Sequence, residues 1–297
     1  MDEKYERRLK AIQKKKERSV LRRRSFILAR NVSLVMLALI CCILVGFLIR
    51  NLSLDLKSRE KVAVLQQTVS AASAPADTSV MQTEAAEETE EMPAKTPEVR
   101  PAEVDRIANY QLLYQENNDF CGWIRIPETA IDYPVMHRAD DNDFYLSHDF
   151  YGQEDVNGLL VLDKRCDPLG DDGNLLIHGH NMKSGFMFGG LKAYKDEAYY
   201  EAHPKIWFDT LYHEYTYQIV AVFLSSVQAG STEDFDFYDY IRIESKEDFE
   251  AYVNGAKEAS LYETGCFPMY GDHLLTLSTC DYTKADGRLV IVASRKP

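Results

Sequence analysis

His273-Leu274-Leu275-Thr276-Leu277-Ser278-Thr279-Cys280 is an apolar run of strand length that ends on a cysteine. Arg288 opens the next such run, residues 288–294. Moving outward, the same pattern of short apolar stretches punctuated by Gly, Pro, Asn and Asp predicts strands at 122–126, 131–135, 158–162, 174–178, 215–224 and 240–243. Eight short strands in about 190 residues predict a mainly β domain closed, or nearly closed, into a barrel.

One segment breaks this pattern. Ser245-Lys246-Glu247-Asp248 reads as a helix N-cap with an acidic residue at the third helical position. Phe249, Tyr252, Val253 and Ala256 then follow at i, i+3, i+4 and i+7, which predicts a helix over 246–262. At the front of the domain, near residue 102, Val104, Ile107, Ala108 and Leu112 predict a short amphipathic helix leading to Asn117-Asn118-Asp119.

The N-terminus has a different character. Residues 1–30 carry 12 Lys/Arg against 4 Asp/Glu, a balance of +8, whereas the remaining residues hold 22 basic against 43 acidic, or −21. Between Arg30 and Arg50 lie 19 uncharged residues. At about 1.5 Å per residue they span about 28 Å, close to the hydrocarbon thickness of a bilayer. Small-residue triplets of the cleavage type come only at Ala72-Ser73-Ala74 and Ala74-Pro75-Ala76, so an uncleaved anchor is expected in place of a signal peptide. The basic residues before the span predict a cytoplasmic N-terminus and an outer C-terminal part. A basic tail beside such a span is topogenic, and the acidic remainder speaks against a polyanion partner, so no nucleic acid is expected.

Residues 70–101 are rich in Ala, Glu, Thr, Ser and Pro, a composition that cannot bury enough apolar surface to offset its ordering entropy. The expected organisation is a basic tail (1–30), a membrane helix (31–49), a linker (50–101) whose 52–69 stretch continues the helix for a few turns, and a folded domain (102–297). Of six cysteines, Cys41 and Cys42 fall in the span, and Cys121, Cys166, Cys266 and Cys280 lie beyond it. No CxxC or Cys/His metal spacing occurs. Cys121, Cys166 and Cys266 leave two readings open, a disulfide between two of them or thiols buried as small hydrophobes.

Cys280 at a strand end, His180 after another strand and Arg288 opening a third suit acyl transfer. A thiolate attacks a carbonyl, an imidazole moves the leaving-group proton, and a guanidinium charged at every relevant pH stabilises the developing oxyanion. His178-Gly179-His180 sets two imidazoles on one strand face, but the spacing marks no third metal ligand.

The segment TLSTC (276–280), with Arg288 eight residues on, resembles the sortase nucleophile signature, and IHGHNMKSGFMFGGL (177–191) resembles the sortase histidine segment. Asn118-Asp119-Phe120-Cys121-Gly122-Trp123-Ile124, then Thr129-Ala130-Ile131-Asp132-Tyr133-Pro134-Val135, Tyr145-Leu146 and Asp149-Phe150 resemble the class B pattern over residues 102–297. The anchor and the helix inserted before the nucleophile strand also fit class B.

This resemblance implies an eight-stranded sortase-type β-barrel and a membrane-anchored cysteine transpeptidase, with no cofactor and no metal. It implies Cys280 as nucleophile, attacking the Thr carbonyl of a C-terminal sorting signal to form a thioester. It implies His180 as the proton-transfer group and Arg288 as the oxyanion and substrate-positioning group. The Asp281 backbone N–H is expected as a second oxyanion donor, and Ser278, Thr279 and His178 as residues lining the substrate. The 224–240 segment and the helix before Gly265 are the expected groove walls.

The partners implied are surface proteins with LPxTG-like or NPxTN-like signals and an amine from peptidoglycan precursor or a pilin lysine. Two rival readings stand beside this one. A Cys/His cell-wall peptidase or hydrolase would place its cysteine at a helix start. A non-catalytic anchored binding module would not need Cys280.

Overall fold

The computed structural model describes residues 3–72, 107–169, 173–226, 235–283 and 285–297. The chain forms two compact units, Met1–Leu56 and Lys57–Pro297. Residues 3–56 of helix α1 (Glu3–Ala72) make up the first. The Ser33–Ala71 part of the helix is long and apolar enough to cross a membrane, by length and composition. Within it Leu34, Ile43, Leu48 and Ile49 are exposed, as a lipid-facing helix requires.

In the second unit the expected linker boundary is corrected. Residues 57–72 are helix, and Val62, Leu65 and Val69 bury one face of it in the core of the folded unit. Their i, i+3, i+7 spacing lines up one apolar stripe, which a spacer would lack. The compact unit therefore starts at Lys57 and not at residue 102. Most of the expected spacer (residues 73–101), and residues 102–106 of the expected domain, lie outside the described residues. Helix α2 (Ala108–Glu116) follows, shorter than expected, with Tyr110 and Leu113 buried.

Eight strands close a barrel among the described residues: β1 (Phe120–Arg125), β2 (Asp132–Met136), β3 (Leu160–Leu162), β4 (Asn174–His178), β5 (Lys205–Thr210), β6 (Glu214–Ser226), β7 (His273–Asp281) and β8 (Gly287–Arg295). Their order around the barrel is β1-β2-β3-β4-β7-β8-β6-β5, and β5 closes onto β1 through Gly122↔Thr210. The β2–β3 and β4–β7 pairs are parallel; the others are antiparallel.

The eighth strand is not the one expected. Residues 240–243 form no strand: Phe237–Tyr240 is a 3₁₀ turn, and Ile241 buries in the core without joining a ladder. The place is taken by β5, in which Ile206 and Phe208 bury while Trp207 between them stays exposed, the alternation of a half-buried strand.

Helix α3 (Glu197–Ala202) and the 3₁₀ segment Phe188–Lys195 join β4 to β5. Helix α4 (Lys246–Glu258) is capped as expected, Ser245 Oγ accepting from Asp248 N at 3.0 Å, and it buries Phe249, Tyr252, Val253 and Ala256. It stops at Glu258, short of 262.

Strand β7 is buried along nearly its whole length, and α4, which packs mainly against β6, reaches it through one side-chain hydrogen bond. The buried Tyr252 hydroxyl of α4 meets Thr276 Oγ1 at 2.6 Å, and Thr276 in turn donates to Asn174 Oδ1 on β4 (2.9 Å). All six cysteines are free thiols; Cys121 and Cys166 are buried, and burial pushes the Cys121 thiol far up.

Candidate active site

Three neighbouring strands set the site. Cys280 on β7 is paired with Arg288 on β8, and Ser278 on β7 is paired with His178 on β4. Paired residues and residues two apart share a sheet face, so His178, Ser278, Cys280 and Arg288 lie together at one end of the barrel wall. They line a cleft of about 220 Å³, together with His180, Asn142, Asp143, Leu146, Asp163, Arg165 and Tyr238.

His180 lies just past the end of β4, where the ladder gives way to a loop. Gly179 N donates to Ser278 O (3.2 Å), and Thr279 Oγ1 donates to Gly179 O (2.7 Å). A Cβ on Gly179 would lie 2.4 Å from Leu160 Cδ2 and 2.7 Å from Phe188 Cδ2, so only glycine lets this turn pack so closely. The next residue, Asn181, donates through Nδ2 to Cys280 O (2.7 Å) and ties the histidine loop to β7.

The His180 ring is held by a backbone carbonyl. Its Nε2–H donates to Leu146 O at 2.8 Å. A carbonyl can only accept, so Nε2 carries a proton and Nδ1 is left as the nitrogen that exchanges one. Leu146 ends the 3₁₀ turn Phe144–Leu146 in the β2–β3 connection. Gly158, with φ of 56°, passes directly against it, since a Cβ there would sit 2.2 Å from Leu146 O.

Asp163, almost fully buried, accepts from Arg165 Nε (2.8 Å) and Nη2 (3.0 Å) and pairs with His178 Nε2 (3.1 Å). Burial would raise the Asp163 carboxyl, but the hydrogen bonds from Arg165 and His178 outweigh it and hold it far below the usual carboxylate range. Tyr238 stacks on the His178 ring, with centroids 5.9 Å apart. The Arg288 guanidinium is steadied by its own hairpin, Nη1 donating to Gly287 O (3.0 Å) and Asp286 O (3.4 Å).

A free thiol, a tautomer-fixed imidazole and a guanidinium thus border one cleft. The family model for the sortase domain matches residues 124–296. The chain belongs to the sortase family. Class B follows from its relatives: it is 36% identical over 191 residues to sortase B of Listeria monocytogenes, covering 63% of this chain and 72% of that one. A Bacillus anthracis sortase B structure in complex with AAEK2 superposes with a TM-score of 0.62 at 27% identity, over 80% of this chain and 95% of that one. A Staphylococcus aureus sortase B–substrate complex gives a TM-score of 0.64 over 81% and 96% at 23% identity, a likeness of fold.

The protein is therefore a cysteine transpeptidase of the class B sortase type, and sortases act on sorting-signal substrates. In this sortase Cys280 is the penultimate residue of β7, where a hydrolase of the rival kind would start a helix with it.

The substrate-lining expectations fare unevenly. Ser278 and His178 border the cleft, and the buried Ser278 hydroxyl has no partner. Thr279 borders it too, although its hydroxyl is engaged by Gly179 O. Asp281 is not among the cleft-lining residues. Its carboxylate bonds Lys195 and Thr283. Burial would raise that carboxyl, but the Lys195 and Thr283 bonds prevail and its pKa is lowered.

Of the expected groove wall at 224–240, residues 227–234 lie outside the described residues and Tyr238 is in place. No α4 residue lines the cleft; the helix packs mainly against β6 and bonds β7 through Tyr252. Asn142, Leu146, Asp163 and Arg165 were not anticipated, although Asp163-Lys164-Arg165 directly after an expected strand is a charged cluster that could have been marked.

Proposed function

We propose that Cys280, His180 and Arg288 carry out the transpeptidation. The Cys280 thiolate attacks the Thr carbonyl of a sorting signal, the C–N bond after Thr breaks, and His180, through Nδ1, protonates the departing amine. The Thr acyl group remains as a thioester on Cys280. An incoming amine from a cell-wall precursor or a pilin lysine gives a proton to the same nitrogen and attacks the thioester; the C–S bond breaks, the new amide forms, and Cys280 leaves as the thiolate beside protonated His180. Arg288 stabilises the oxyanion in both steps. The observation that carries this reading is the cross-strand pairing of Cys280 with Arg288 beside His180 in one cleft.

Ser278 offers the substrate backbone or side chain its unpartnered hydroxyl. The N-terminal tail lies in the cytoplasm, and the transpeptidase domain works outside the membrane crossed by α1, on surface proteins bearing sorting signals. The charge asymmetry about the apolar span supports this orientation.

Mass spectrometry of the full chain in detergent, with LPxTG-like and NPxTN-like peptides, tests the reading. A Thr-acyl adduct on Cys280 that is absent in Cys280→Ala and converts to an amide on adding an amine is expected. Release by water at the same rate with or without amine would overturn the transferase step.

A further inference from the structure

One turn of α1 touches both loops that meet at His180. Lys61 Nζ lies 2.7 Å from Asp149 Oδ2 and 3.9 Å from Asp155 Oδ2, and Ser58 Oγ bonds Asp155. Both carboxylates are nearly buried, 6% and 7% exposed, while the Lys61 side chain is 38% exposed. These carboxylates also shape their loop. Asp149 Oδ1 accepts from Tyr151 N (2.9 Å) and Gln153 N (2.8 Å), and Asp155 Oδ1 accepts from Asn157 N (3.0 Å). Asp155 N donates to Ser147 O (2.9 Å), one residue beyond the carbonyl that holds the His180 ring.

On its other flank the same turn holds the histidine loop. Arg59 lies over the Phe186 ring at 4.7 Å and donates through Nη2 to Ser184 O (3.3 Å). That loop folds back on His180, whose carbonyl accepts from Phe188 N (3.0 Å), with an Asn181↔Met187 bridge beside it. His180 and its ring acceptor Leu146 are thus carried on two separate loops, each fastened to residues 58–61.

We propose that Arg59 and Lys61 are positioning residues of the transpeptidase, fixing through these two loops the distance between the His180 ring and Leu146 O. The proposal rests on His180 as the proton-transfer group. The residues touch neither substrate nor reacting atoms; they fix which ring nitrogen faces Cys280. If the loops part, the Nε2–H bond to Leu146 is lost and the ring is free to turn or change tautomer. Proton transfer then slows while peptide binding in the cleft is preserved.

The test uses the full chain in detergent micelles, with Arg59→Ala, Lys61→Met, the double variant, Lys61→Arg and His180→Ala. For the double variant kcat is expected to fall about tenfold or more with KM within about twofold, since misplacements on the scale of 1 Å at a catalytic group cost up to 10²-fold. Nitrogen NMR of labelled histidine should show faster exchange of the His180 Nε2 proton, and Lys61→Arg should restore both readouts. Wild-type kcat and exchange in the double variant would overturn the proposal. So would a joint loss of kcat, KM and melting temperature without change at His180, which marks a merely structural contact. A His180→Ala chain as active as the wild type would instead sink the proton-transfer assignment, and the positioning role with it.

Discussion

Gly158→Ala puts the carbonyl that holds His180 to a direct test. At Gly158 the backbone has φ of 56°, and an added Cβ would lie 2.2 Å from Leu146 O, 2.4 Å from Leu146 C and 2.6 Å from Tyr145 O. The left-handed conformation alone costs an alanine about 1–2 kcal/mol. Relieving the contact requires the Leu146 carbonyl to retreat by roughly 1 Å, because Cβ atoms rarely approach oxygen more closely than about 3 Å.

His180 Nε2 is 2.8 Å from that oxygen, so the same retreat takes it past hydrogen-bonding distance. A fall in kcat on the order of 10²-fold is expected, with melting lowered by about 3–8 °C for the strain. Thioester formation on Cys280, timed by quenched mass spectrometry at a temperature well below melting, separates the two effects. A Gly158→Ala chain with reduced melting temperature and an unchanged acylation rate would refute the claim that Leu146 O orients the catalytic imidazole.

Three further outcomes follow from the same geometry. Arg288→Lys keeps the charge but loses the planar fork that bonds Gly287 O and Asp286 O, so acylation should slow about 10²-fold or more with little change in KM, read by steady-state kinetics. Asp163 and Asp281 are both held below the usual carboxylate range. The stability they contribute is complete above the unfolded-chain value of about 4 and is lost as pH falls through the lower folded values. Asp209, whose carboxyl burial raises, acts in the opposite sense. Asp163→Asn should therefore flatten the decline of melting temperature below about pH 4, measured by calorimetry across pH. Tyr252→Phe removes a buried hydroxyl 2.6 Å from Thr276 Oγ1 while leaving the Thr276–Asn174 bond. It should cost about 1 kcal/mol, or roughly 2–4 °C, with kcat unchanged.

What was legible in the sequence was what local chemistry encodes. The Ser245 cap and the Phe249, Tyr252, Val253, Ala256 stripe mark α4 because both signals lie within a few turns of one another. Strand β7 and its cysteine are marked by a continuous apolar run. β5 was missed because six residues with a charged start and an exposed Trp207 carry little pattern of their own; it is a strand because β1 and β6 flank it. Residues 240–243 went the other way, alternating like a strand with no neighbour to pair with. The packing of 57–72 was hidden by its continuity with the apolar stretch 31–49, where apolar residues occur on every face. In the cleft, Leu146 acts through a backbone carbonyl that no side-chain type reveals, and Asp163 matters through partners two and 15 residues away.

The three groups proposed to be catalytic are therefore held in two physically different ways. Cys280 and Arg288 are tied by adjacent ladder positions on β7 and β8, so any movement of that sheet carries them together and preserves the relation of nucleophile to oxyanion donor. His180 lies beyond the last β4 ladder residue and is placed by Gly179 against Leu160 and Phe188, by Asn181 on Cys280 O and by Leu146 on its ring. Leu160 and Cys280 belong to strands, but Phe188 and Leu146 belong to 3₁₀ segments outside the ladder, and such segments yield to smaller forces than paired strands. Proton transfer also demands closer tolerance than electrostatic stabilisation, which falls off gradually with distance. The step most sensitive to position thus depends on the least rigid part of the site. That explains why glycines at 158 and 179 and a helix turn as distant in sequence as 58–61 converge on the histidine and not on the cysteine.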